Sequence, residues 1–320
     1  MLKNFRINWL FLVLLGTTLQ AQQTPYFSLT QYQLNLINPA YAGVSGDLFT
    51  IGSKSQWSNV EGAPRTFAFT YSTQSTEKVG MGISVISDKV NVEQQTLAFI
   101  DFSYKLTLAE DMRLYLGLKA GGNFYSSDPS GLVNYLTPPD PSKVAMRQFT
   151  PNVGVGAYLD AGSFWVSLSA PRLLEASRST SDEMFAKDRI HSYMAAGTSI
   201  EVSEQFDLLP SVIFRKVMGL PLSTEFTAQL RYMDRFQVGG QIRDVSNMSV
   251  FALVNVSPKI DVGYAYDNYL DTELSGMTVN GHEFFLRFRL GTKDFTEDAA
   301  AEGETTEQGA ENTASDQRRR

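Results

Sequence analysis

Thiol chemistry is closed to this chain: its 320 residues contain no cysteine, and only two histidines, His191 and His282. A cysteine nucleophile and a Cys/His zinc centre are therefore both ruled out. A serine hydrolase would need a serine beside an imidazole, and neither histidine has such a companion in sequence. Both stand at the start of an expected strand, as an ordinary surface or interface histidine would. Gly80-Met81-Gly82 precedes no helix, so it is not a phosphate cradle; it lies in a strand, where small residues relieve crowding. What remains is charge. Asp101, Asp261, Asp267 and Glu283 fall on the same side of their segments as Lys105, Lys119, Arg215, Arg231, Arg243, Arg287 and Arg289. Mixed signs on one face suggest an internal ion-pair network in a narrow barrel, or a wetted pore wall. Neither needs a reaction, a cofactor or a metal, so the chain is not expected to be an enzyme.

The elements that carry these charges are strands. Between residues 48 and 291, segments of some ten residues alternate apolar and polar side chains and are separated by turn residues. Phe284, Leu286, Phe288 and Leu290 oppose Glu283, Arg287 and Arg289; Ala98, Ile100, Phe102, Tyr104 and Leu106 oppose Phe99, Asp101, Ser103 and Lys105. The rhythm predicts about fourteen strands, beginning near Leu48, Thr66, Val79, Gln94, Met112, Thr150, Phe164, Ile190, Phe206, Leu222, Phe236, Met248, Lys259 and His282. A soluble sandwich would hide the apolar faces against a second sheet; a membrane barrel turns them to lipid and keeps charge on the lumen side.

Loop lengths favour the barrel. Alternate connections are tight, as at Ala161-Gly162, Asp234-Arg235 and Ser257-Pro258, and the other set includes residues 126–149, 171–189 and 268–281. Short periplasmic turns alternating with longer outer loops are the asymmetry of bacterial barrels, and an even strand count returns both termini to the periplasm. The expected fold is all-β: a transmembrane, antiparallel, up-and-down barrel with an N-terminal plug-like segment. The 21 Phe and 14 Tyr suit aromatic girdles at two lipid–water interfaces. A net charge of −7 without a basic stripe argues against nucleic acid.

At the N-terminus, Lys3 and Arg6 precede an apolar stretch from Trp9 to Leu15, and Leu19-Gln20-Ala21 ends in a small residue. That is the layout of a secretory signal peptide over residues 1–21, cleaved near Ala21, and the stretch is too short to span a bilayer. Residues 22–47 are read as a periplasmic or plug segment, 48–291 as the barrel, and 292–320 as a disordered acidic periplasmic tail with too little apolar surface to fold. The long outer loops carry Pro138-Pro139-Asp140-Pro141 and Ser177-Arg178-Ser179-Thr180-Ser181-Asp182, polar runs expected to be mobile.

The N-terminal segment has an unusual string. Tyr26-Phe27-Ser28 and Gln31-Tyr32 lead to Asn38-Pro39-Ala40-Tyr41-Ala42-Gly43, followed by Gln56-Trp57 and Gly62-Ala63-Pro64-Arg65-Thr66. Pro39 fixes its own φ and pushes Asn38 toward extended geometry, Gly43 permits a turn, and Tyr41 can pack while its hydroxyl finds a partner. These residues fit a rigid plug docked in or below the barrel; direct contact with a partner is the other reading. Trp57 and Pro64 fall in the first outer loop, where Trp57 is either an anchor in the aromatic belt or a folded-in lid. The string strongly resembles the opening of the PorP/SprF family, outer-membrane proteins associated with the type IX secretion and gliding machinery of Bacteroidetes. It is densest over residues 22–71, and the ending Gly281-His282-Glu283-Phe284 agrees. The acidic tail departs from the family core.

The resemblance implies a non-enzymatic barrel in the outer membrane, embedded in the lipid bilayer. Its partner would be a secreted surface protein with a type IX C-terminal sorting domain, anchored or helped in export, with translocon and periplasmic components as further contacts. The residues to which it points for partner binding or plugging are Asn38, Pro39, Ala40, Tyr41, Gly43, Trp57, Gly62 and Pro64. A diffusion or substrate-uptake channel is the competing function.

Overall fold

The computed structural model describes residues 27–57, 60–129, 145–179, 184–244, 247–269 and 280–291. The signal-peptide, tail and Pro138–Pro141 expectations lie outside these residues. The strands are β1 (Asp47–Gln56), β2 (Arg65–Gln74), β3 (Val79–Val90), β4 (Glu93–Ala109), β5 (Met112–Ser127), β6 (Met146–Asp160), β7 (Phe164–Arg172), β8 (Ala176–Ser179), β9 (Met184–Asp188), β10 (His191–Thr198), β11 (Ile200–Ser203), β12 (Phe206–Val217), β13 (Leu222–Tyr232), β14 (Phe236–Arg243), β15 (Asn247–Ser257), β16 (Ile260–Tyr269) and β17 (Asn280–Gly291). Each pairs antiparallel with its neighbours, and the sheet closes on itself where β1 meets β17, from Asp47 opposite Gly291 to Gln56 opposite Gly281. β10 and β11 both pair with β12 and act as one stave broken at Ser199, so the wall is a closed barrel of 14 strands. Closure leaves no unpaired edge, which is why a chain without disulfides holds such a sheet.

The alternation seen in sequence sets the two faces of this wall. Ile100, Leu118, Phe226, Val250 and Phe284 point outward and are strongly exposed, Ile100 at 62% and Phe284 at 61%. The residues between them, Asp101, Lys119, Thr227, Ser249 and Glu283, are buried inside. A soluble protein could not leave so continuous an apolar belt in water. Ile100→Arg, near the middle of β4, is expected to lower stability by about 2–4 kcal/mol in lipid vesicles, the cost of a cation at mid-bilayer. A urea midpoint for Ile100→Arg equal to wild type would contradict a lipid-facing wall.

Most strand starts lie within two residues of the sequence expectation. Two features differ. β6 begins at Met146 rather than near Thr150, because residues 146–149 continue the ladder opposite Phe124–Ser127, where alternation is too weak to read. The connection between β7 and β10 is not a plain loop either: Ala176–Ser179 pairs with Met184–Asp188 as a separate hairpin. Its strands of four and five residues are too short to leave a period in the sequence.

Candidate functional site at the inner wall

Residues 27–46 run along the inside of the barrel in three short 3-10 turns, Thr30–Tyr32, Leu34–Leu36 and Pro39–Tyr41, before entering β1. A segment with so little regular structure must satisfy its backbone against the wall, and it does so residue by residue. The Ser28 and Leu29 amides donate to the two carboxylate oxygens of Glu283, at 2.7 and 3.0 Å. Ser28 Oγ donates to Asp267 Oδ1 at 2.6 Å, and Lys54 Nζ lies 2.5 Å from the other oxygen of Asp267. Arg287 donates to the Tyr32 carbonyl at 2.6 Å, and its guanidinium lies over the Tyr32 ring. The Tyr32 hydroxyl is 2.6 Å from Gln229 Oε1 and 2.5 Å from Gln237 Oε1. Burial pushes this phenol above its ordinary range, against the pull of Arg287.

Further along, Lys119 donates to the Asn35 carbonyl at 3.1 Å and to Ser84 Oγ at 2.7 Å, while its Nζ sits 2.6 Å from Asp101 Oδ1. Ser169 donates to the Ile37 carbonyl at 2.8 Å. Asn38 is fully buried; its amide donates to the Ala157 carbonyl at 3.0 Å and to Ser167 Oγ at 2.8 Å. Its Oδ1 accepts from the Ala40 amide at 2.9 Å and caps the turn in which Pro39 takes the first position. Ser103 Oγ donates to the Ala42 carbonyl at 2.5 Å, and the Gly43 amide donates to Ser72 Oγ at 2.6 Å.

Three wall glycines make room for this track. A Cβ on Gly117 would stand 2.1 Å from the Ala40 nitrogen, one on Gly80 would stand 2.0 Å from the Ala42 oxygen, and one on Gly156 would meet Asn38 Oδ1. Gly43 turns at φ +78°, and a side chain there would also strike the Gly80 backbone. Apolar residues complete the seat. Leu29 packs with Phe251, Leu253, Ala265 and Phe285; Leu34 and Ala40 pack with Tyr115 and Tyr158; Phe27 and Leu36 pack with Ala68.

The sequence-predicted site residues divide into two groups. Asn38, Pro39, Ala40, Tyr41 and Gly43 lie together on the inner wall, with the Tyr41 ring edge-on to Tyr158 at 5.2 Å. Trp57, Gly62 and Pro64 lie at the far end of β1, in the connection to β2. The Trp57 amide donates to the Asn280 carbonyl at 2.8 Å, Gly62 turns at φ +75° and accepts from the Asn91 amide at 2.8 Å, and Pro64 accepts from Gln56 at 3.0 Å. The connection between β1 and β2 thus meets the β3–β4 turn at Gly62 and Asn91.

Sequence reasoning missed the receiving residues Glu283, Asp267, Ser72, Ser103 and Ser167 as a set, because they are spread over more than 200 positions. Inward-facing glycines inside strands were the readable signal. His191 is not a surface histidine: it is 4% exposed, with Nε2 2.6 Å from Arg172 Nη2. The inward side of β10 is covered, and strand position alone does not reveal that. His282 faces outward, its Nδ1 2.7 Å from the Tyr264 hydroxyl.

Residues 19–288 match the family described as Type IX secretion system membrane protein PorP/SprF. The chain belongs to the PorP/SprF family. No curated protein sequence matches it significantly. Among solved structures, the CymD monoaromatic hydrocarbon channel is similar at a TM-score of 0.50 and 13% identity, covering 82% of this chain and 93% of its own. The Acinetobacter baumannii outer membrane protein Omp33 is similar at 0.45 and 10% identity, over 77% of this chain and 98% of its own. The P. putida toluene transporter TodX gives 0.47 and 8% identity, over 81% and 94%. Identities this low speak to the fold alone. This PorP/SprF protein is thus a type IX secretion membrane protein with an outer-membrane barrel fold.

Proposed function

We propose that this is a non-enzymatic barrel that partners an exported surface protein, holding that protein's type IX C-terminal sorting domain with its outer loops and rim. In this reading the signal peptide is removed near Ala21, and residues 22–47 plug the lumen. The tight turns and the tail at 292–320 face the periplasm, within reach of translocon components. The observation that carries the reading is the seating of residues 27–46, whose backbone meets wall glycines and buried carboxylates. Beside Phe27, Ile213 and Glu225 lies a space of about 50 Å³, and another of about 50 Å³ lies beside Leu36, Leu97 and Phe99, each enough for a water or two. A barrel filled in this way has its loops and rims left to act with.

Deleting the gene is expected to remove one large protein from the cell surface, and the purified barrel is expected to show no steady conductance in planar bilayers. The second reading is an outer-membrane diffusion or substrate-uptake channel, favoured by the charged inner residues Arg215, Glu225 and Arg243 and by the similar barrel of the CymD monoaromatic hydrocarbon channel. Steady open conductance together with an unchanged surface proteome would replace the first reading by the second.

A further inference from the structure

Charges on the two faces of this wall are treated differently. Inside, Lys54, Lys119, Arg231 and Arg289 each face a carboxylate at 2.5–2.9 Å. Outside, at the strand ends that bear the long loops, the outward charged positions are all cations: Arg65 on β2, Lys89 on β3, Arg147 on β6 and Lys216 on β12. All four are exposed, and among the described residues no outward strand position at this rim is acidic. Asp244, just past β14, is taken up by Ser223 Oγ and the Thr224 amide.

Arg65 and Lys89 are direct cross-strand partners. They project from the same face of adjacent strands, immediately above Phe67 and Ser87, with Phe69 and Val85 next along the outer face. Like charges placed opposite each other repel, and neither has an ion pair among the described residues. Glu61 in the first loop and Glu93 at the start of β4 pair with neither. Both are exposed on the face that meets headgroups, so an anion of the surrounding medium can reach them, and basic residues at that depth gather phosphate-bearing lipid. A guanidinium fork beside an ammonium suits one phosphate: two parallel donors from Arg65 and a point charge from Lys89.

We propose that Arg65 and Lys89 form a binding site for the phosphate of an outer-leaflet glycolipid, whose acyl chains lie along Phe67, Phe69 and Val85. The site rests on the orientation argued under Proposed function, in which the long loops face outward.

The test is native mass spectrometry of the full mature chain, titrated with diphosphoryl lipid A, with its dephosphorylated form and with phosphatidylglycerol. The intact barrel is expected to bind diphosphoryl lipid A at least tenfold more tightly than either other lipid. Arg65→Gln/Lys89→Gln is expected to abolish that preference while keeping heat-modifiable migration, the sign of a folded barrel; Lys259→Gln, at a tight turn, should keep it. Equal binding of the dephosphorylated lipid, equal binding of phosphatidylglycerol, or an unchanged Arg65→Gln/Lys89→Gln titration would each overturn the site. Displacement of the lipid by millimolar inorganic phosphate would reassign it to a free anion. Because the chain has no cysteine, Glu61→Cys labelled on whole cells by an impermeant maleimide reports orientation separately. Strong labelling without lipid preference refutes the site alone; absent labelling refutes the orientation, and the site with it.

Discussion

Lys119→Met is expected to destabilise the barrel by about 3–5 kcal/mol, because it strands the Asp101 carboxylate, fully buried, without its cation. Both members of this pair are fully buried. With Lys119 gone, Asp101 keeps the Ser84 hydroxyl at 2.8 Å, and the Asn35 carbonyl of the N-terminal segment loses its donor. Removing both charges should do less harm than removing one, since apolar residues of similar volume often replace a buried ion pair at little cost. Lys119→Met/Asp101→Leu is therefore expected to recover most of the lost urea midpoint in vesicles. Equal midpoints for the single and double variants would show that the pair is not desolvated and that water reaches the inner wall at this level.

Gly117→Val attacks the same interface through shape. The Ala40 nitrogen would stand 2.1 Å from the new Cβ and the Ala40 Cα 2.5 Å from it. Both are backbone atoms, so no rotamer change relieves the overlap. Either β5 or the N-terminal segment must move, and β5 is tied by a continuous ladder to β4 and β6 while the segment is held by scattered contacts. The segment is expected to leave the wall. Overpacking typically costs about 1–3 kcal/mol and occasionally more. The larger effect is expected in exchange: the amides of Ala40 and Gly43 should lose most of their hydrogen-exchange protection, and a conductance absent from the wild type should appear. Leu118→Val, one position along and facing lipid, should do neither. Retained protection of those amides in Gly117→Val would mean that the segment is not seated against this glycine.

The barrel was legible because its solvent is two-sided. Phe284 and Glu283, or Ile100 and Asp101, declare opposite environments one residue apart, and a ladder with period two turns that contrast directly into an outside and an inside. That Arg65 and Lys89 stand side by side on the outer face follows only from the register of β2 against β3. The string at residues 38–43 stood out through its proline, asparagine and glycine, whose backbone demands are local. Where local contrast is weak, as in residues 146–149, or the element is very short, as in the Ala176–Ser179 hairpin, the reading stopped short of the structure.

What the amino-acid order determined by itself was the face of most strands, the ends that bear long loops, and an N-terminal string with strong local backbone demands. Which charges meet was decided only by the closed sheet. Ser28 reaches Glu283 across 255 positions and Asn38 reaches Ser167 across 129. A side-chain period says which way a residue points, yet leaves open the stagger between strands. That stagger, summed around fourteen staves, sets the level at which Lys54, Asp267 and Glu283 converge.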